Sequence, residues 1–128
     1  MTLLAVLIGG AVGTALRLGI DALLPHGDDA FPWATLGINV LGAFVLGALV
    51  SSAWDRAPAW LRAGLGPGLL GSFTTFSALA VSLVTLAAAD EWMLAAGYLA
   101  ASILLGLTAA GLGLRLGRRS PLIDEAAE

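Results

Sequence analysis

The sequence predicts an all-α integral membrane protein built from four transmembrane helices, and three observations carry that prediction. Of its 128 residues 59% are hydrophobic and only 12% charged, with a mean hydropathy of +0.93, whereas an average soluble domain is about a quarter charged. The charges gather in a few short clusters and cut the chain into apolar pieces. Each piece is close to the roughly 20 residues that a helix needs to cross a bilayer core of about 30 Å. Trp33, Trp54, Trp60 and Trp92 stand at the ends of those pieces, at the headgroup level where amphipathic rings prefer to sit. The 17 Gly are spread through apolar runs beside only 5 Pro, which excludes collagen-like and disordered classes.

The predicted spans cover residues 2–20, 32–54, 63–89 and 92–114, in one four-helix membrane domain over 1–128 with a charged tail at 115–128. The first span carries a single charge, Arg17, after Gly9, Gly10 and Gly13 on neighbouring turns. It lacks the basic n-region of a secretory signal and is expected to be a retained helix. Arg17 lies about one turn from the span end, so it can snorkel to the interface, cap carbonyls or line a pore. The second span holds Asn39 near its middle, with Thr35 four residues earlier on the same face. Asn39 is either an interhelical hydrogen bond worth about 0.6 to 2 kcal/mol or a functional donor.

The third span is too long, reaching roughly 40 Å at about 1.5 Å per residue. Its middle reads Gly71-Ser72-Phe73-Thr74-Thr75-Phe76-Ser77, a composition that weakens a continuous helix. A break in lipid is tolerated only where protein or a cavity covers the freed backbone groups, and such breaks recur at ion sites. Close packing of small residues is the alternative. In the fourth span Tyr98, Ser102 and Gly106 follow at four-residue spacing, as a narrow polar path or as a packing seam.

Arg56 and Arg62 lie between the second and third spans, and Arg115, Arg118 and Arg119 follow the fourth, while the other two loops hold no Lys or Arg. The positive-inside rule then puts both termini and the middle loop in the cytoplasm. The chain has no Cys, one His at position 26, no carboxylate pair inside a span and no phosphate-binding loop, so it is not expected to be an enzyme. The Gly111–Gly117 string lacks the spacing of a dinucleotide fingerprint. A net charge of −3 without a basic groove excludes a nucleic-acid partner.

Three segments together resemble one family, the small four-helix fluoride channels of the Fluc/CrcB type. Gly9 to Arg17 is similar to that family's glycine-rich opening motif, Thr35 to Phe44 with Gly47 to its Asn-centred motif, and Gly71 to Ser77 to its signature break. The resemblance covers nearly the whole chain. It implies an antiparallel, dual-topology dimer in the plasma membrane of a prokaryote, with two fluoride pores at the interface and passive export of cytoplasmic fluoride. It further implies a structural, untransported Na+ held by the backbone carbonyls of Gly71 and Thr74 from each subunit. Asn39 carries over as a pore donor, Phe76 as one of the pore's aromatic rings, and Thr75, Tyr98 and Ser102 as pore hydroxyls. Two positions depart from the pattern: the second pore phenylalanine is Leu79, and the next hydroxyl of the fourth helix is Gly106.

The five-to-zero arginine bias is also unsuited to a sequence that inserts both ways. It raises the expectation of an oppositely oriented paralogue as partner, in place of a second copy of this chain. Two other functions remain to be weighed. One is a non-conducting partner subunit of a fluoride-channel heterodimer. The other is a small four-helix multidrug transporter, which needs a membrane-embedded carboxylate; the nearest acid, Asp21, sits at a span end.

Overall fold

The structure is a computed structural model that describes residues 1–52 and 54–118. Most of the expected charged tail, with Arg119, Asp124, Glu125 and Glu128, lies outside the described residues. Helix α1 is Thr2–Leu23 and α2 is Trp33–Ser52. The third span is composite. It opens with α3, Ala59–Ala63, continues through a π-helical stretch, Gly64–Leu70, and the short turn α4, Gly71–Phe73, and resumes after two extended residues as α5, Phe76–Ala88. Helix α6 is Trp92–Arg118. Four segments are therefore long and apolar enough to cross a membrane: Thr2–Leu23, Trp33–Ser52, Ala59–Ala88 and Trp92–Arg118.

Three of these bounds run past the predicted spans for one reason: charge marks where lipid ends, not where a helix ends. Pro58, in an extended conformation at the N-cap, starts the third span at Ala59, so Arg62 sits inside its first turns. Helix α1 runs on through Asp21 to Leu23. Helix α6 continues to Arg118, with Arg115 and Arg118 in its last turn, where cations complement the helix dipole.

Helices that run the same way pack most closely. A Cβ at Gly9 would meet the Gly64 carbonyl and one at Gly13 the Leu69 carbonyl, which sets α1 directly against the third span. Along the α2–α6 seam Gly47 meets Ala110, Gly113 meets Phe44, and Gly117 meets Ser51 and Ala48. Small residues let backbones approach to carbonyl contact, the usual basis of helix association in lipid. The glycines of the first motif are thus packing residues. The π-helical stretch holds Pro67; its missing N–H and the wider turn interrupt the regular ladder before the break itself.

The buried core, Leu36, Leu86, Ala95 and Tyr98, lies between α2, α5 and α6, with Phe31, Val40, Leu79 and Leu83 packed around it. Parallel pairing also sorts the charges. Arg56, Arg62, Arg115 and Arg118, with Asp55, share one end of the bundle. Asp21, Asp28, Asp29, Asp90 and Glu91 share the other, where the one Arg is Arg17, a turn inside α1, and the connecting loops hold no Lys or Arg.

Candidate functional site

The break consists of two residues. Thr74 (φ −76, ψ 156) and Thr75 (φ −150, ψ 116) are both extended, and each uses its hydroxyl to finish one half-helix. Thr74 Oγ1 donates to the Leu70 carbonyl at 2.8 Å, beside the Thr74 N–H at 3.0 Å. Thr75 Oγ1 accepts from the Ala78 N–H at 3.1 Å as the N-cap of α5, the role for which a short hydroxyl is favoured. It also lies 3.1 Å from Ser77 Oγ.

Asn39 ties α2 to this point. Its Nδ2 donates to the Thr75 carbonyl at 3.0 Å, and its Oδ1 accepts from the Thr75 N–H at 2.8 Å. Gly42, one turn on, allows the approach, because a Cβ there would strike the Thr74 methyl. These bonds have a consequence for two carbonyls. In a continuous helix the Gly71 carbonyl would accept from the Thr75 N–H, and the Thr74 carbonyl from the Ala78 N–H. Here the first donor goes to Asn39 and the second to the Thr75 hydroxyl. Gly71 and Thr74, the two residues expected to offer carbonyls to a cation, are therefore among the four, Gly71 to Thr74, whose carbonyls lose their helical donors at the break. Among the described residues no group of three or more His, Cys, Asp or Glu could hold a metal ion, and the oxygens at the break are backbone carbonyls together with the Thr74 and Thr75 hydroxyls and Asn39 Oδ1.

A groove of about 600 Å³ opens along the break, lined by Asn39, Gly71, Thr74, Thr75, Phe76 and Leu79 among others. The Phe76 ring, at the first position of α5, is 82% exposed. Phe76, Thr75 and Asn39 thus line one groove. Tyr98 and Ser102 do not line this groove. Tyr98 is fully buried, with Phe31 edge-on to its ring at a centroid distance of 5.5 Å. Its hydroxyl faces those of Ser82, Thr35 and Ser102, yet none reaches hydrogen-bonding geometry with it. An unsatisfied buried hydroxyl costs about 1 to 3 kcal/mol, and this one stands in a nest of further hydroxyls. Leu79 divides the two regions, since it both lines the groove and packs against the Tyr98 core.

Ser82 is the residue that sequence reading missed. It sits in the apolar body of α5 between Ser77 and Thr85, and its only signal is the three-residue spacing from Leu79, which places both on one face of α5. Gly106 has no atom within 4 Å of where a Cβ would lie, so packing does not require glycine there. Arg17 lies half-buried one turn beyond Gly13, outside the groove, and its Nε has no hydrogen-bond partner among the described residues.

The model of the CrcB-like family (CrcB-like protein, Camphor Resistance) matches residues 4–114. The chain belongs to the CrcB-like family. This CrcB-like chain is 39% identical over 119 residues to a Mycolicibacterium paratuberculosis protein named fluoride-specific ion channel FluC 1, covering 91% of this chain and 90% of that one. Relatives named fluoride-specific ion channel FluC include one from Paracoccus denitrificans, 39% identical over 117 residues (91% of this chain, 94% of that one). Another, from Thermus thermophilus, is 41% identical over 116 residues (89% and 93%). Within the CrcB-like chain, all three motif segments noted in the sequence fall inside the matched range.

Proposed function

We propose that the chain is a subunit of a fluoride-selective channel that exports cytoplasmic fluoride passively across the plasma membrane of a prokaryote. The observation that carries this reading is the pinned break. At one point of the third span an amide donor, an exposed aromatic ring and carbonyls without helical donors face a common groove, and relatives across nearly the full length are named as fluoride channels. An amide N–H and the positive edge of a phenyl ring both suit a dehydrated anion. Export needs no coupled energy: hydrofluoric acid enters by diffusion and ionises in a more alkaline cytoplasm, and the anion leaves through the pore.

The subunit works in an antiparallel dimer, with a second copy or an oppositely oriented paralogue. Support comes from the open groove and from Phe76, too exposed for a site that must exclude water and lipid. Na+ fits the Gly71 and Thr74 carbonyls of each subunit. The ion supplies a fixed positive charge that holds two broken helices together, and it is not transported. The Ser82, Thr35, Tyr98 and Ser102 hydroxyls continue the anion's path beyond Leu79. A non-conducting supporting subunit is the second reading, favoured by Leu79 and Gly106 where the resemblance calls for a ring and a hydroxyl.

Asn39→Asp tests the anion pathway. It replaces a donor with a negative oxygen, and loss of one hydrogen bond to a charged group, about 1.5 to 3 kcal/mol, slows passage by about 10- to 100-fold. Fluoride efflux from liposomes, followed with a fluoride electrode, should fall by at least that much. An unchanged efflux removes Asn39 from the path.

A further inference from the structure

An asparagine side chain is ambiguous towards ions, because its carbonyl can accept and its NH2 can donate. At Asn39 the ambiguity is removed by one neighbouring residue. Thr75 is extended, so its N–H and C=O point to the same side, as in a hydrogen-bonded pair of strands. The N–H can only donate and takes Asn39 Oδ1 at 2.8 Å; the C=O can only accept and takes Nδ2 at 3.0 Å. A flipped amide would set donor against donor and acceptor against acceptor. What remains is the second hydrogen on Nδ2, for which no acceptor is present among the described residues, on a side chain that lines the groove. The Asn39 carbonyl, the group that would attract a cation, is engaged by the Thr75 N–H.

We infer that the Thr75 backbone is a polarity lock: by holding the Asn39 amide in one orientation it occupies the side-chain carbonyl and leaves the second Nδ2 hydrogen as the free group of that amide, and so favours an anion over a cation at Asn39. Thr75 is here a positioning residue that acts through Asn39. The break itself is part of the device. In an unbroken helix the Thr75 N–H would be bonded to Gly71 and unable to hold Asn39 Oδ1. The absence of a side chain at Gly42, beneath the Thr74 methyl, keeps the extended pair within reach of α2. The inference rests on the fluoride reading for the identity of the anion.

Asn39 is the only Asn in the chain, and there is no Gln, so its side-chain NH2 gives the only such signal in a 1H–15N spectrum of the full chain in lipid nanodiscs. Without fluoride, the lock predicts one Nδ2 proton exchanging with water at least about tenfold more slowly than the other. Adding sodium fluoride should shift the unprotected proton and leave the protected one in place, and sodium chloride should shift neither. Equal exchange of the two protons overturns the lock. A protected proton whose companion ignores fluoride, in a preparation that passes fluoride in liposomes, also overturns it while leaving the channel reading intact. If neither proton responds and no assembly of the chain passes fluoride, the channel reading fails and the inference goes with it.

Discussion

At Asn39 one amide is pinned to the break, since Thr75 ends the gap between α4 and α5 and also caps the helix that follows. Polar groups at membrane depth are few and costly, and this pairing engages four of them together: Asn39 Oδ1 and Nδ2 and the Thr75 N–H and C=O. Leu79 poses the opposite case, an apolar side chain between the groove and the buried Tyr98 hydroxyl. Leu79→Phe combined with Gly106→Ser should raise fluoride efflux by about 30-fold, as a ring edge and a hydroxyl are each worth about 1 kcal/mol to an anion. The added hydroxyl fits, because nothing lies within 4 Å of a Cβ at Gly106. Liposome efflux measures the change, and an unaltered rate would show that these departures do not limit passage. At this scale the sequence was legible where a polar residue interrupts an apolar helix, as at Asn39 and Tyr98. It was not legible at Ser82, whose neighbours come from α2 and α6, nor for the Asn39 partner, a backbone unit 36 residues away.

The third span shows what decides the elements. Excess length and the Gly71–Ser77 composition located the break, and the two threonines refined it to two residues by closing off each half. The π-helical stretch, Gly64–Leu70, carries one local signal, Pro67. It also lies where Gly9 and Gly13 of α1 approach the carbonyls of Gly64 and Leu69, a tertiary contact that the sequence does not display. The end of α5 is more local. Glu91 N–H reaches the Leu86 carbonyl at 2.9 Å and Asp90 N–H the Ala87 carbonyl at 3.1 Å, the two bonds of a Schellman cap. Asp90 holds the left-handed position at φ 59, where Asn or Gly is better tolerated and a negative charge opposes the helix dipole. Asp90→Asn should therefore stabilise the chain by about 0.3 to 1 kcal/mol and leave efflux unchanged, whereas Asp90→Ala should destabilise it by about 1 to 2 kcal/mol. Thermal unfolding in detergent reads both, and a lower melting temperature for Asp90→Asn would contradict this account of the cap.

As a whole the molecule is electrically two-ended, with Arg56, Arg62, Arg115 and Arg118 at one end and Asp21, Asp28, Asp29, Asp90 and Glu91 at the other. The asymmetry was readable in the loops once four spans were counted. Parallel packing of alternate helices by glycine contacts gathers each set at one end. A bundle so polarised should insert in one direction, so a terminal tag on the chain expressed without a paralogue should be accessible from one face of the membrane only. Tags on both faces, with a working dimer, would make the chain its own antiparallel partner. In the proposed channel the groove at the break and the exposed Phe76 are the surfaces that such a partner would cover. Fluoride efflux from liposomes that hold the chain alone, and then with an oppositely oriented paralogue, reads whether the chain contributes to a fluoride path. Release of fluoride but not chloride is expected from at least one of these assemblies, and no fluoride release from either would refute that role.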